Sequence, residues 1–92
     1  MSKEQPNLIY APPIAGATIA AWHKKPGDYV KANETIADID QWEGVYEISI
    51  PKNGILREIL VPVGSVVEPN QVIATYTVMG IMAKLKNFIK RK

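Results

Sequence analysis

The 92-residue chain contains no cysteine. That excludes a disulfide framework and a thiolate metal centre, and leaves the redox compartment unmarked. His23 is the only histidine, so a metal site would have to rest on carboxylates, and His23 reads as a surface residue. Serine is scarce: Ser2, Ser49 and Ser65, with that one histidine, give no credible nucleophile–base pair. No apolar run approaches the roughly 20 residues of a membrane helix. The start, "MSKEQPNLIY", has no apolar stretch of signal-peptide type. Together these absences predict a small cytoplasmic domain with no metal centre and no nucleophile–base machinery.

Acidic residues are absent beyond Glu68. Lys84, Lys86, Lys90, Arg91 and Lys92 crowd the last nine positions, and the remaining chain carries six basic against nine acidic side chains, a net of −3. A mildly acidic body and a strongly basic tail are two physical objects. In the tail, Ile81, Met82, Leu85, Phe88 and Ile89 recur at the spacing of one helical face, with lysines on the other, and Gly80 serves as a hinge. Residues 79–92 are therefore expected to form a basic amphipathic helix. It can pack on the body, or bind a protein partner or an anionic membrane surface through Ile81, Lys84, Leu85, Lys86, Phe88, Ile89, Lys90 and Arg91; the latter reading is preferred and predicts peripheral membrane association. Nucleic acid is a poorer fit, because the basic residues are few and Phe88, their one aromatic, lies on the apolar face.

What is present between residues 8 and 78 is β-pattern. Val, Ile, Thr and Tyr alternate in short runs separated by Gly, Pro, Asn and Asp. Strands are expected near 8–10, 17–22, 29–30, 35–40, 44–49, 55–61, 66–67 and 72–77. The period-2 pattern of Val72 to Val78 predicts one buried face there, as does that of Thr18 to Trp22. A repeat appears at an offset of 37: "PGDYVKANETIADI" lies over "VGSVVEPNQVIATY", setting Gly27 on Gly64, Val30 on Val67, Asn33 on Asn70, Ile36 on Ile73 and Ala37 on Ala74. Two copies are too few for a solenoid. Two halves facing each other across one core about a quasi-twofold axis fit better.

The segments "ATIAAWHKKPGDYVKANETIADID", "GILREILVPVGSVVEPNQVIATY" and "YAPPIAGATI" resemble the lipoyl/biotinyl carrier domains. The resemblance implies an all-β barrel-sandwich hybrid of two four-stranded antiparallel sheets over residues 8–78, with residues 1–7 a flexible N-terminus and the helix appended. It also implies that Trp22 is structural and that a lysine should stand at the tip of the hairpin between the halves. Laid on that hairpin without a gap, "ADIDQWEGVYEISIP" puts Trp42 at the family's aspartate position and Glu43 at its lysine position. A ligase transfers an activated acyl group to a lysine amine, and a carboxylate cannot form that amide.

Two readings of the tip follow. In one, its residues drifted after modification was lost. In the other, Trp42, Glu43 and Asp40 contact a partner, an exposed tryptophan being a frequent anchor. Asp38, Asp40, Glu43 and Glu47 read as a solvated acidic face rather than a cation site. Lys52, in "PKNG", is a substitute attachment point of low standing. The sequence expectation is thus a degenerate carrier domain that is not an enzyme, holds no cofactor, and acts as an unmodified binding or adaptor module. The alternative is a carrier or accessory subunit of a biotin- or lipoate-dependent complex, modified at another lysine. A third class, the barrel-sandwich parts of membrane-fusion subunits, fits poorly because those carry a long insertion at the tip.

Overall fold

The computed structural model describes residues 6–79. The helix expected over 79–92, apart from residue 79, and most of the N-terminal segment therefore lie outside the described residues. Eight strands follow in order: β1 (Asn7–Tyr10), β2 (Ala17–Trp22), β3 (Tyr29–Val30), β4 (Thr35–Gln41), β5 (Gly44–Ser49), β6 (Gly54–Ile59), β7 (Val66–Val67) and β8 (Val72–Val78). They form two four-stranded sheets, β1-β8-β6-β3 and β5-β4-β2-β7, and every pairing is antiparallel.

The offset of 37 relates the two sheets strand by strand. Added to β2, β3 and β4 it gives the bounds of β6, β7 and β8, and added to β1 it falls within β5. The same shift turns one sheet order into the other. Backbone detail follows it too. Gly27 and Gly64 have φ of 95° and 93°, and Asn33 and Asn70 have φ of 67° and 62°. Asparagine tolerates this left-handed region better than most side chains. Gly27 N–H donates to Leu56 O at 2.7 Å, and Gly64 N–H to Ile19 O at 2.8 Å. Each half thus clamps the other through the same turn.

The core lies between the sheets. Ile19, Val30, Ile36 and Ile39 face their counterparts from the second half, Leu56, Val67 and Ile73, all essentially without solvent exposure. Fully burying each such side chain contributes about 1.5–3 kcal/mol, which this short chain needs to offset its ordering entropy.

Two expectations of a single buried face do not hold. In β8, the consecutive residues Ile73, Ala74, Thr75 and Tyr76 are all buried. This strand lies between β1 and β6, and both neighbours shift register beside it, at Ile9/Tyr10 and at Leu56/Glu58. In β2, a shift between Ile19 and Ala21 changes the facing pattern, so Trp22 packs against the core although it was expected to alternate away from Ile19. A bulge adds a residue and twists the strand, so strict alternation fails across it. Four strands differ slightly from their expected bounds: β1 begins at Asn7, β4 ends at Gln41, β8 ends at Val78, and β6 runs over Gly54–Ile59 rather than 55–61.

Candidate functional site

β4 and β5 form the hairpin that joins the two halves. Asp40 pairs with Val45 and Gln41 with Gly44, which leaves Trp42 and Glu43 as a two-residue turn. Neither has positive φ, and Gly44 completes the turn at φ 136°, a value that favours glycine. The turn therefore projects both side chains beyond the last strand pair. Trp42 is 91% exposed and Glu43 is also exposed. The β1–β2 loop brings Ile14 beside them, and Ile14, Gln41, Trp42 and Glu43 line a hollow of about 250 Å³. Gln41 Oε1 is buried there with no hydrogen-bond partner among the described residues.

The carboxylates near the hairpin are dispersed by their partners. Asp38 lies opposite Glu47 across the strand pair. Its Oδ2 is 2.9 Å from His23 Nε2, and Glu47 Oε1 accepts the Thr35 hydroxyl at 3.2 Å. Asp40 is exposed nearer the tip. No group of three or more histidine or acidic side chains able to hold a metal occurs among the described residues. Trp22 is held inside: its indole N–H donates to Val61 O at 2.9 Å and its ring packs on the core.

Lys52 stands elsewhere. β5 runs away from the tip for six residues, about 20 Å at the usual rise, before the chain turns through Pro51, Lys52 and Asn53 into β6. Asn53 anchors that turn, accepting Met79 N–H at 2.9 Å through its carbonyl and Ala32 N–H at 2.8 Å through Oδ1. Lys52 is exposed. The structure thus groups Trp42, Glu43 and Asp40 at one end and Lys52 at the other.

Sequence reasoning missed Ile14 at the tip. It also missed a groove of about 300 Å³ between β1 and β5. Ile14 comes to the tip through loop geometry, for which the sequence gives no pattern. The groove had a signal: Leu8, Ile9 and Tyr10 are consecutive large apolar residues, more than one buried face requires.

The family model described as "biotin-requiring enzyme", covering biotin and lipoyl domains, matches residues 10–76. The chain belongs to the biotin/lipoyl family. It is similar to dihydrolipoyllysine-residue succinyltransferase components of 2-oxoglutarate dehydrogenase complexes. With that of Buchnera aphidicola subsp. Baizongia pistaciae it is 41% identical over 68 residues, 74% of this chain and 17% of the relative. With that of Pseudomonas aeruginosa it is 37% identical over 70 residues, 76% of this chain and 17% of the relative. This chain therefore spans about one sixth of the curated relatives' length. The solved lipoyl domain of the Azotobacter vinelandii 2-oxoglutarate dehydrogenase complex superposes with a TM-score of 0.66 at 33% identity, covering 78% of this chain and 99% of that one. A single-chain long-chain acyl-CoA carboxylase shares the fold, with a TM-score of 0.74 at 18% identity over 99% of this chain and 9% of that one.

These matches overturn the expectation of an unmodified adaptor module. That expectation rested on Glu43 alone, whereas the relatives whose sequence matches most of this body are dihydrolipoyllysine-residue components. Glu43 removes the amine from the tip and Trp42 replaces the aspartate beside it, while the match to the family runs through the rest of residues 10–76.

Proposed function

We propose that this chain is a carrier subunit or domain of a lipoate- or biotin-dependent enzyme complex, acylated at a lysine other than the tip position. The observation that supports it is the match of nearly the whole body, both halves included, to lipoyl domains of dehydrogenase complexes. The module performs no catalysis in this reading. It holds an acyl or carboxyl carrier group and presents it to partner enzymes of the complex.

Amide formation needs an exposed lysine amine that can deprotonate and attack an activated acyl group. Glu43 cannot supply it. Lys24 is engaged, 3.1 Å from Glu34 Oε2 and 3.3 Å from Tyr29 O. Lys52 lies in an exposed turn between two strands. The quasi-twofold axis adds a reason to favour it: subtracting 37 sets the turn of Pro51, Lys52 and Asn53 on the loop of Ile14, Ala15 and Gly16 that flanks the tip. The end bearing Lys52 is thus the counterpart, in the second half, of the end where carriers of this family display their lysine. Co-expression with a lipoate ligase and, separately, a biotin ligase tests the assignment. Lipoyl or biotinyl mass on Lys52, lost in Lys52→Arg, is the expected result. Modification of a different lysine refutes the Lys52 assignment and keeps the carrier reading.

A further inference from the structure

We propose that residues 80–92 dock in cis into the groove between β1 and β5. β1 and β5 are edge strands of the two sheets, each hydrogen-bonded to one neighbour. Between them Leu8, Tyr10, Tyr46, Ile48, Ile50 and Tyr76 line the hollow of about 300 Å³. Leu8, Tyr10 and Tyr46 remain 44%, 51% and 42% exposed, although side chains of their size are stabilised by cover.

Four observations select this segment as the occupant. The described chain ends at the groove's margin: Met79 N–H bonds Asn53 O, two residues beyond the Pro51 that lines the hollow. The length fits, because thirteen residues in helical form span about 20 Å, and the six residues from Tyr46 to Pro51 along the groove also span about 20 Å. The pattern fits, because Ile81, Met82, Leu85, Phe88 and Ile89 recur at one-face spacing and can cover the tyrosines while the cations stay in water. The charge fits, because residues 6–79 hold five basic and eight acidic side chains, a net of −3, against five cations in the segment, and Glu47 lies on the groove wall. Tethering favours this occupant over a free partner, since a short linker supplies a local concentration in the millimolar range. A docked segment would cover Leu8, Tyr10 and Tyr46 and withhold its own apolar face from membrane surfaces. It holds whichever lysine is acylated.

The test uses the full 92-residue chain, isotope-labelled, in solution. Nuclear Overhauser contacts from the Leu85 and Phe88 side chains to Leu8, Tyr10 or Tyr46 are expected. Leu85→Asp should erase them and shift the amides of those three residues, while Trp42 and Glu43 at the opposite end keep their positions. This control shows that the domain is still folded. Absence of the contacts in the parent chain overturns the proposal. Contacts that arise only between differently labelled chains in a mixed sample replace it with a second copy as occupant. Absence of contacts together with co-sedimentation on phosphatidylglycerol vesicles replaces it with a membrane surface.

Discussion

The two tryptophans differ by one hydrogen bond and one packing surface. Trp22 gives its indole N–H to Val61 O and rests on the core, whereas Trp42 stands at the tip with 91% of its surface in water. Iodide should therefore quench the Trp22→Phe variant, which keeps only Trp42, more strongly than Trp42→Phe. The reverse order would place the hairpin wrongly. Trp22→Phe also loses a partly buried hydrogen bond worth about 1 kcal/mol, so its thermal midpoint should fall, while that of Trp42→Phe should hardly move. Gly54 gives a sharper case. A Cβ built there would lie 2.5 Å from the Thr77 carbonyl oxygen, a backbone atom of the paired strand that cannot swing aside. Gly54→Ala should cost about 1–3 kcal/mol in urea unfolding, as overpacking does elsewhere. Its counterpart in the first half is Ala17, buried and carrying the very methyl group that Gly54 cannot. An unchanged midpoint would mean that β6 and β8 are spaced more widely than described.

At the scale of elements, the halves differ where their turns meet β4 and β8. Lys31 N–H donates to Glu34 Oε1 at 2.9 Å, and 37 residues later Glu68 N–H donates to Gln71 Oε1 at 2.7 Å. The geometry repeats, and the charge does not. The Lys31 amide, and after it the Lys24 ammonium, hold the Glu34 carboxyl below its ordinary value of 4.5. A carboxyl depressed in the folded state stabilises above its unfolded value, and that contribution is lost as pH falls through the folded value. Glu34→Gln should copy the second half's neutral turn and flatten the acid limb of thermal stability below pH 4.5, with a small effect because the group is exposed. A variant whose midpoint falls with acid as steeply as the parent's would assign the acid sensitivity to other carboxylates. The strands themselves were largely legible in sequence. β2, β3, β5 and β7 begin and end where the apolar runs and Gly or Asn turns place them. The burial of consecutive residues in β8 was not legible, because it depends on bulges in β1 and β6 that no local pattern encodes.

At the scale of the molecule, the sequence carried the fold through its internal repeat. Gly27 with Gly64 and Asn33 with Asn70 mark the quasi-twofold relation, since left-handed turns restrict residue choice tightly. The tip was equally legible, because Gly44 and the two flanking strands leave room for nothing but a tight turn. The groove was not, since it joins β1 to β5 across the axis and neither strand alone describes it. Function proved less legible than fold. The replaced tip, Trp42 and Glu43, outweighed the rest of the chain in that expectation, although an attachment position is a single side chain while the family match spans residues 10–76. The measurement that bears most directly on the carrier reading is the intact mass of the chain isolated from its native cells, followed by peptide mapping. A mass increase equal to a lipoyl or biotinyl amide, mapped to Lys52 or to another lysine, is the result predicted here. A chain of unmodified mass, taken from cells whose other carrier domains are fully acylated, would contradict it.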